Sequence, residues 1–275
     1  MSFFLVNRLQ TGATPPPPAA PVTAKGSWLR WRMALVPLSL LAGLALWAAV
    51  VRIGGYPAFI LPAPEAVWAR FLRALGDGSL LRHTLVTLRE VVLGLSLGVG
   101  VASVLGYTLA RWRAVERILS PYIVASQAVP VVALAPLLVI WFGPGEFSKV
   151  LICALIVFFP VLVNVVLGLR SVESDLRDLM RSLRATQWQT FDHLEVPAAL
   201  PVLLGGLKIG ATLSVIGAVV GEFVGANRGL GFLISVARGQ YDTALVFVAV
   251  LALVALALGL YGLVVLAERI LLARR

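Results

Sequence analysis

Gly94-Leu95-Ser96-Leu97-Gly98 spells G-x-S-x-G, the pattern of a serine nucleophile raised on a strand-to-helix turn and served by a histidine. The pattern lies inside a long apolar run, where a helix and not a strand-turn is expected. The only histidines, His83 and His193, fall on opposite sides of the bilayer once the apolar runs are threaded through it. A serine triad is excluded on those grounds, and Gly94, Gly98, Ser103 and Gly106 read better as small residues where helices touch. Cys153 is the single cysteine, so neither an intrachain disulfide nor a cysteine-based metal site can be assembled, and two histidines alone make no metal site. No G-x-x-x-x-G-K-[ST] phosphate loop occurs, so the chain is not expected to hydrolyse ATP. What remains for chemistry is a set of charged residues within or beside apolar runs: Arg89, Glu90, Lys208 and Glu222. Such groups are costly in lipid and mark contacts or pathways.

The elements that position these residues follow from composition. Hydrophobic residues make up 60% of the 275 positions and charged residues 13%, so lipid is the solvent for most of the chain. The formal charge of +10 does not point to nucleic acid, because the 23 Lys and Arg sit between apolar runs and form no stripe or block. Six stretches have about the 20 residues that a bilayer crossing requires: 33–51, 86–110, 118–142, 149–168, 202–225 and 243–266. Residues 1–32, with Pro15-Pro16-Pro17-Pro18 and then Lys25, Arg30 and Arg32, read as a flexible basic tail, and 269–275 as a basic end. The first run is longer than the apolar core of a signal peptide and is read as an uncleaved span. Flanks on the side of the two termini hold fourteen basic residues against seven on the other, which places both termini in the cytoplasm. The fold class expected is an all-α polytopic membrane protein with six transmembrane helices.

This topology leaves one long external segment, 52–85, with a helical pattern around Val67, Phe71 and Leu72, expected to lie along the outer surface. It also leaves one long cytoplasmic segment, 169–201. There a short charged helix, 171–183, precedes a second, 187–194, whose Trp188, Phe191 and Leu194 recur at three-residue steps. Pro197 and Pro201 are expected to stop that helix and begin the next span. An apolar ridge too small for a core of its own needs the membrane surface or a partner protein.

The same loop resembles that of the permeases of binding-protein-dependent ABC importers, whose pattern is E-A-A, three residues, G, nine residues, I-x-L-P. Asp178, Leu179 and Met180 take the start, Arg184 the glycine position, and Leu194, Glu195, Val196 and Pro197 the ending. Arg184 departs from the pattern. Either Ala185 and Thr186 make the turn in ordinary backbone conformations, or Arg184 is strained by about 1–3 kcal/mol. Elsewhere Leu61-Pro62-Ala63-Pro64, Pro130, Ala133-Leu134-Ala135-Pro136-Leu137, Trp141-Phe142-Gly143, Phe158-Phe159-Pro160, Asn164 and Gly168 look like the sulfonate, taurine and nitrate branch. Gly206-Leu207-Lys208-Ile209-Gly210-Ala211, the segment 216–225 and Gly229-Leu230-Gly231 are more similar to importers of thiamine-pyrimidine precursors or riboflavin.

The resemblance implies a type I importer permease half in a bacterial inner membrane, working by alternating access with a second permease subunit. A homodimer is the default. It also implies ATP-binding subunits that hold ATP and Mg, and a periplasmic solute-binding protein. A coupling helix between spans four and five would enter a groove on the ATPase. Trp188, Phe191 and Leu194 would fill that groove, with Gln187, Gln189 and Glu195 at its polar rim. Asp178, Arg184, Ala185, Thr186 and Pro197 complete the candidate coupling set.

For a pathway or gate the candidates are Gln127, Pro130, Asn164 and Glu222, because amides need partners in lipid and proline frees a carbonyl. Glu222 adjoins the face shared by Gly217, Gly221 and Gly225 and is equally open to a structural hydrogen bond. Arg89 and Glu90 near a span end are expected to snorkel, and Lys208 to reach water. An ion-coupled secondary transporter is the alternative, requiring ionisable groups at midspan, and an integral-membrane enzyme a more remote one.

Overall fold

The computed structural model describes residues 25–273. The tail expected over 1–32 lies largely outside them, as do the last two residues of the basic end. The chain divides into two compact units, one up to Val50 and one from Val51 onward. Helix α1 (Lys25–Gly54) makes up the described part of the first unit and is apolar enough to cross a membrane from Pro37 to Gly54.

In the second unit α2 (Pro64–Gly76) is a short amphipathic helix, opened by the rigid φ of Pro64. It buries Val67 and Ala74 and leaves Trp68 and Leu72 outward. Its Arg70 meets Asp242 at 2.7 Å, which ties α2 to the segment entering the last helix. Then come α3 (Ser79–Arg111), α4 (Arg113–Gln127), α5 (Val131–Phe142), α6 (Glu146–Arg170) and α7 (Ser174–Ser182). A short α8 (Gln187–Thr190) continues through a π-turn, Phe191–Glu195, into α9 (Val196–Gly225). The chain ends with α10 (Leu230–Gly239) and α11 (Thr243–Ala273). No strand occurs among the described residues.

Five of these helices are long and apolar enough to cross a membrane, or six with α4 and α5 counted as one broken span. That pair differs from the single run expected over 118–142: its halves meet at 93°. Pro130 lacks an N–H and drives Val129 out of helical backbone space, so the helix ends before it and restarts at Val131. The second expected span starts earlier than 86, because α3 already begins at Ser79.

The core is the packing of α6 between α3 and α9. Ile152, Val157 and Leu162 are buried along α6, and Ala102, Leu109, Val165, Leu169 and Ala199 close the seam. Lipid offers no hydrophobic drive between helices, so close backbone approach has to supply the attraction. A methyl on Gly98 would stand 2.7 Å from the Ala154 carbonyl oxygen, and one on Gly217 2.7 Å from the Cys153 Cα. Gly94, Gly98 and Gly106 are all buried there, which is the helix-contact role expected for them, and no strand-turn forms around Ser96. On the other side, α11 buries only Leu245, Val248 and Ala249 and shows Leu251, Leu258 and Leu263 outward. That apolar surface suits a bilayer and not water.

Candidate functional site

The segment between α6 and α9 is built by three local devices. α7 ends in a Schellman closure: Arg184 N–H donates to the Arg181 carbonyl at 2.9 Å and Ala185 N–H to the Met180 carbonyl at 3.0 Å. The closure requires a left-handed residue, and Arg184 supplies it with φ +53°. The turn is therefore made by the second route open to it, in the strained conformation that glycine would adopt freely.

The second device is a capping box. Thr186 Oγ1 accepts from Gln189 N–H at 3.2 Å and Gln189 Oε1 accepts from Thr186 N–H at 2.8 Å. Gln189 is thereby occupied in its own chain. The third is the π-turn, where Val196 N–H reaches back to the Phe191 carbonyl. It widens the helix just ahead of Pro197 and makes room for the ring, so the helix expected to stop at Pro197 runs on through it and Pro201 into α9.

These devices divide the expected apolar ridge. Trp188 is 73% exposed, and Leu179 and Leu183 of the preceding helix and its cap are exposed as well. Phe191 and Leu194 are half-buried against their own chain. Phe191 stacks edge-on against Tyr107 of α3, with ring centres 5.2 Å apart, and touches Trp188 at 5.5 Å. The exposed apolar surface is thus Leu179, Leu183 and Trp188, and Phe191 connects it to α3. Glu195, expected at a polar rim, turns inward instead. Its side chain is 5% exposed and lies 3.7 Å from Arg111 at the end of α3 and 3.9 Å from Arg177 on α7. The extra residue of the π-turn rotates it off the outward face.

At the other end of α3 a second polar cluster forms around Glu222. Thr87 Oγ1 donates to Glu222 Oε1 at 2.6 Å and accepts from Leu230 N–H at 2.8 Å. Gly231 N–H donates to Glu222 Oε2, and Gly229 N–H to His83 Nδ1 at 3.0 Å. Three successive amides at the start of α10 are satisfied by side chains from α3 and α9, with a carboxylate at the positive helix end. Gly229 has φ +111°, and a Cβ there would strike the Glu222 carboxyl group. Glu222 is 2% exposed with both oxygens engaged.

Beside it Glu90 and Lys149 are both buried and 3.8 Å apart, with Lys149 Nζ on the Pro144 and Gly145 carbonyls at 3.1 and 3.3 Å. Of the two expected snorkellers, Arg89 stays outside and pairs with Glu146 at 2.8 Å, whereas Glu90 points inward. Lys208, partly exposed, pairs with Glu268 of α11 at 2.5 Å.

The pathway candidates are held by different neighbours. Gln127 and Pro130 are exposed at the α4–α5 bend, while Asn164 sits against Gly206 of α9 and donates to its own helix at Pro160 O, 2.8 Å. Sequence reasoning missed Tyr107, Thr87, His83 and the Lys208–Glu268 pair. Only the T-x-x-Q of the capping box left a local signature.

A charged loop thus returns onto the ends of α3 and α6 within a bundle of apolar helices. Residues 94–273 match the binding-protein-dependent transport system inner membrane components. The chain belongs to that family. It is similar to the riboflavin transport system permease protein of Chloroflexus aurantiacus, 48% identical over 241 residues, which are 88% of this chain and 90% of the relative. The formylaminopyrimidine transport permease protein of Halalkalibacterium halodurans is 38% identical over 72% of this chain and 79% of its own. The taurine transport system permease protein of Escherichia coli is 34% identical over 84% and 89%. The chain is the permease subunit of an ABC importer, a multi-pass membrane protein and not an enzyme. The family implies an ATP-binding subunit and a solute-binding protein as partners, and no cofactor in the permease. The ion-coupled and enzymatic alternatives are set aside by the same matches.

Proposed function

We propose that this permease moves a small heteroaromatic solute of the riboflavin or pyrimidine-precursor kind into the cytoplasm. The observation that carries this is the 48% identity to the riboflavin permease over about nine-tenths of both chains, against 34% to the taurine permease. ATP and Mg reside in the partner subunit. Both termini face the cytoplasm, as the fourteen-to-seven division of basic residues favours. Two copies of this chain form the pathway.

On this reading residues 178–197 are the coupling element. Trp188, with Leu179 and Leu183, enters a groove on the ATP-binding subunit. Asp178 and Gln187 lie at the rim, while Arg184, Ala185, Thr186 and Gln189 fix the turn that presents them. Phe191, Leu194, Glu195 and Pro197 pass the movement to α3 and α9. Glu222 holds α10 in place, and any gate falls near Gln127 and Pro130, where the span is broken.

The test is uptake of labelled riboflavin, formylaminopyrimidine and taurine by cells that carry the permease with its ATP-binding and solute-binding partners. Uptake of riboflavin or the pyrimidine, abolished by Trp188→Asp, is the expected result. Uptake of taurine alone would move the substrate to the sulfonate class. Uptake that survives Trp188→Asp in a fully assembled complex would refute the coupling assignment.

A further inference from the structure

Directly behind the coupling element lies a cavity of about 240 Å³, walled by Tyr107, Ala110 and Arg111 of α3, Leu169 of α6, Arg177 and Arg181 of α7, and Glu195. Three arginines and one carboxylate therefore line it. Arg181 is taken up by Asp178, outside the cavity, at 2.9 Å. The other two approach the same Glu195 oxygen, Arg111 Nη1 at 3.7 Å and Arg177 Nη2 at 3.9 Å. Both separations exceed a hydrogen bond, which for a charged pair closes to about 2.7–2.9 Å. Glu195 offsets charge without consuming donors.

The carbonyl end of α6 takes one contact, Arg177 Nη2 on Leu169 O at 2.7 Å. Arg177 Nε is buried with no partner at all. An unpaired buried donor is costly, and a guanidinium fork left open is shaped for an oxyanion. With Asp178 counted, the lining still carries an excess positive charge. At ~30 Å³ per water the cavity has room for about eight waters, ample for one phosphate group.

We propose that this cavity binds a phosphate-class anion. Arg111 and Arg177 grip its oxygens, Arg181 closes the mouth, and the anion completes the contacts that Glu195 leaves unmade. Two sources offer this chemistry. One is the headgroup of an anionic phospholipid, since Arg111 lies in the last turn of a helix long and apolar enough to cross a membrane; the other is free phosphate. Because Arg111, Arg177 and Glu195 join α3 and α7 to the π-turn, an occupied cavity stiffens the coupling element. That consequence, unlike the binding itself, rests on the coupling role proposed above.

The test uses the assembled permease with its ATP-binding subunit in nanodiscs of phosphatidylcholine alone or of phosphatidylcholine with phosphatidylglycerol. Inorganic phosphate is titrated in the first set, and thermal midpoint and nucleotide hydrolysis are read in both. A rise in midpoint with either probe is expected, weakened about tenfold or more in Arg111→Gln/Arg177→Gln. Arg117→Gln, an exposed arginine on α4, should respond as the wild type does. A rise with phosphatidylglycerol alone assigns a lipid, and a rise with phosphate in phosphatidylcholine assigns the free anion.

If the double glutamine variant does not assemble, Arg111→Lys/Arg177→Lys keeps the charge and removes the forks, and should bind more weakly than wild type. No rise with either probe in the wild type, or an undiminished rise in the glutamine or lysine pair, overturns the proposal. A rise in midpoint with unchanged hydrolysis would leave the anion site standing and count against the coupling role alone.

Discussion

The two ends of α3 carry polar clusters built on opposite plans. At its start, His83 and Thr87 join Glu222 in a set in which each of the three amides entering α10 has a side-chain acceptor, while the neighbouring Glu90 Oε2 is buried without a partner. At its end, Arg111 shares Glu195 with Arg177 at 3.7 and 3.9 Å, and the Nε of Arg177 is left without a partner. A saturated buried network fixes one arrangement, because every departure exposes an unpaired group. A loose one tolerates several. The saturated end lies where a short helix must be held against the bundle, and the loose end where the bundle meets the segment proposed to receive movement from the ATP-binding subunit. On the coupling role proposed above, hydrogen bonds hold α3 at the α10 end and longer ion pairs meet it at the α7 end.

The largest effect should come from the exposed tip. Trp188 is 73% exposed in the isolated chain and makes one ring contact, to Phe191, so Trp188→Asp should leave the fold intact. As the aromatic centre of an interface it carries about 2 kcal/mol or more, roughly a thirtyfold loss of affinity for the ATP-binding subunit. Co-purification of that subunit with the tagged permease measures it directly. Phe191→Asp should lose transport as well, but with a lower thermal midpoint of the permease itself, since Phe191 is packed on Tyr107. Equal midpoints for the two variants would show that Phe191 does not connect tip to bundle.

Next in size is the comparison of the carboxylates themselves. Glu222→Leu removes both acceptor oxygens: the Thr87 hydroxyl can turn to the His83 carbonyl at 3.2 Å, but the Gly231 amide is left without its partner. A buried donor left unpaired costs about 1–3 kcal/mol. Glu195→Gln breaks no hydrogen bond, because its two arginines stand beyond bonding distance, and both are partly open to solvent. The thermal midpoint should therefore fall clearly for the first and little for the second. The reverse order would mean that the α10 end is not the fixed one. Thr186→Ala, which removes the side-chain acceptor of the capping box, should cost about 1 kcal/mol locally and show as faster amide exchange over residues 187–190.

Sequence periodicity and length were enough for the all-helical, multi-span class, because bilayer thickness imposes it, and the loop pattern pointed to the permease family, whereas the coupling role of 178–197 stands as a proposal. Direction within that segment was not legible. Trp188, Phe191 and Leu194 share a face on an ordinary helix, but a π-turn rotates the residues after it, and nothing in Phe191-Asp192-His193-Leu194-Glu195 announces one. Glu195 therefore went from the rim to the interior. Glu222 and Lys208 were visible as charges out of place, yet their partners, Thr87 and Glu268, lie 135 and 60 residues away in the chain and were fixed only by packing. The break at Pro130 was foreseeable as a proline in a span, whereas the 93° between its two halves depends on neighbours that one run of sequence does not contain.

The smallest predicted effect concerns Arg184, which stands where the family pattern has glycine and adopts φ +53° to close α7. A left-handed conformation costs a non-glycine residue about 1–2 kcal/mol. Glycine would remove that strain but bring back about 0.4–1 kcal/mol of unfolded-state entropy. Arg184→Gly should thus stabilise the turn by a net of roughly 0.5 kcal/mol, seen as slower amide exchange at Arg184 and Ala185, whose N–H groups make the closure. Transport distinguishes two reasons for the arginine. If uptake is unchanged, the residue is a tolerated strain in a loop held by its neighbours. If uptake falls although the turn is firmer, the exposed guanidinium is itself a contact of the coupling surface, and the loose end of α3 includes a charged partner site as well as the apolar one at Trp188.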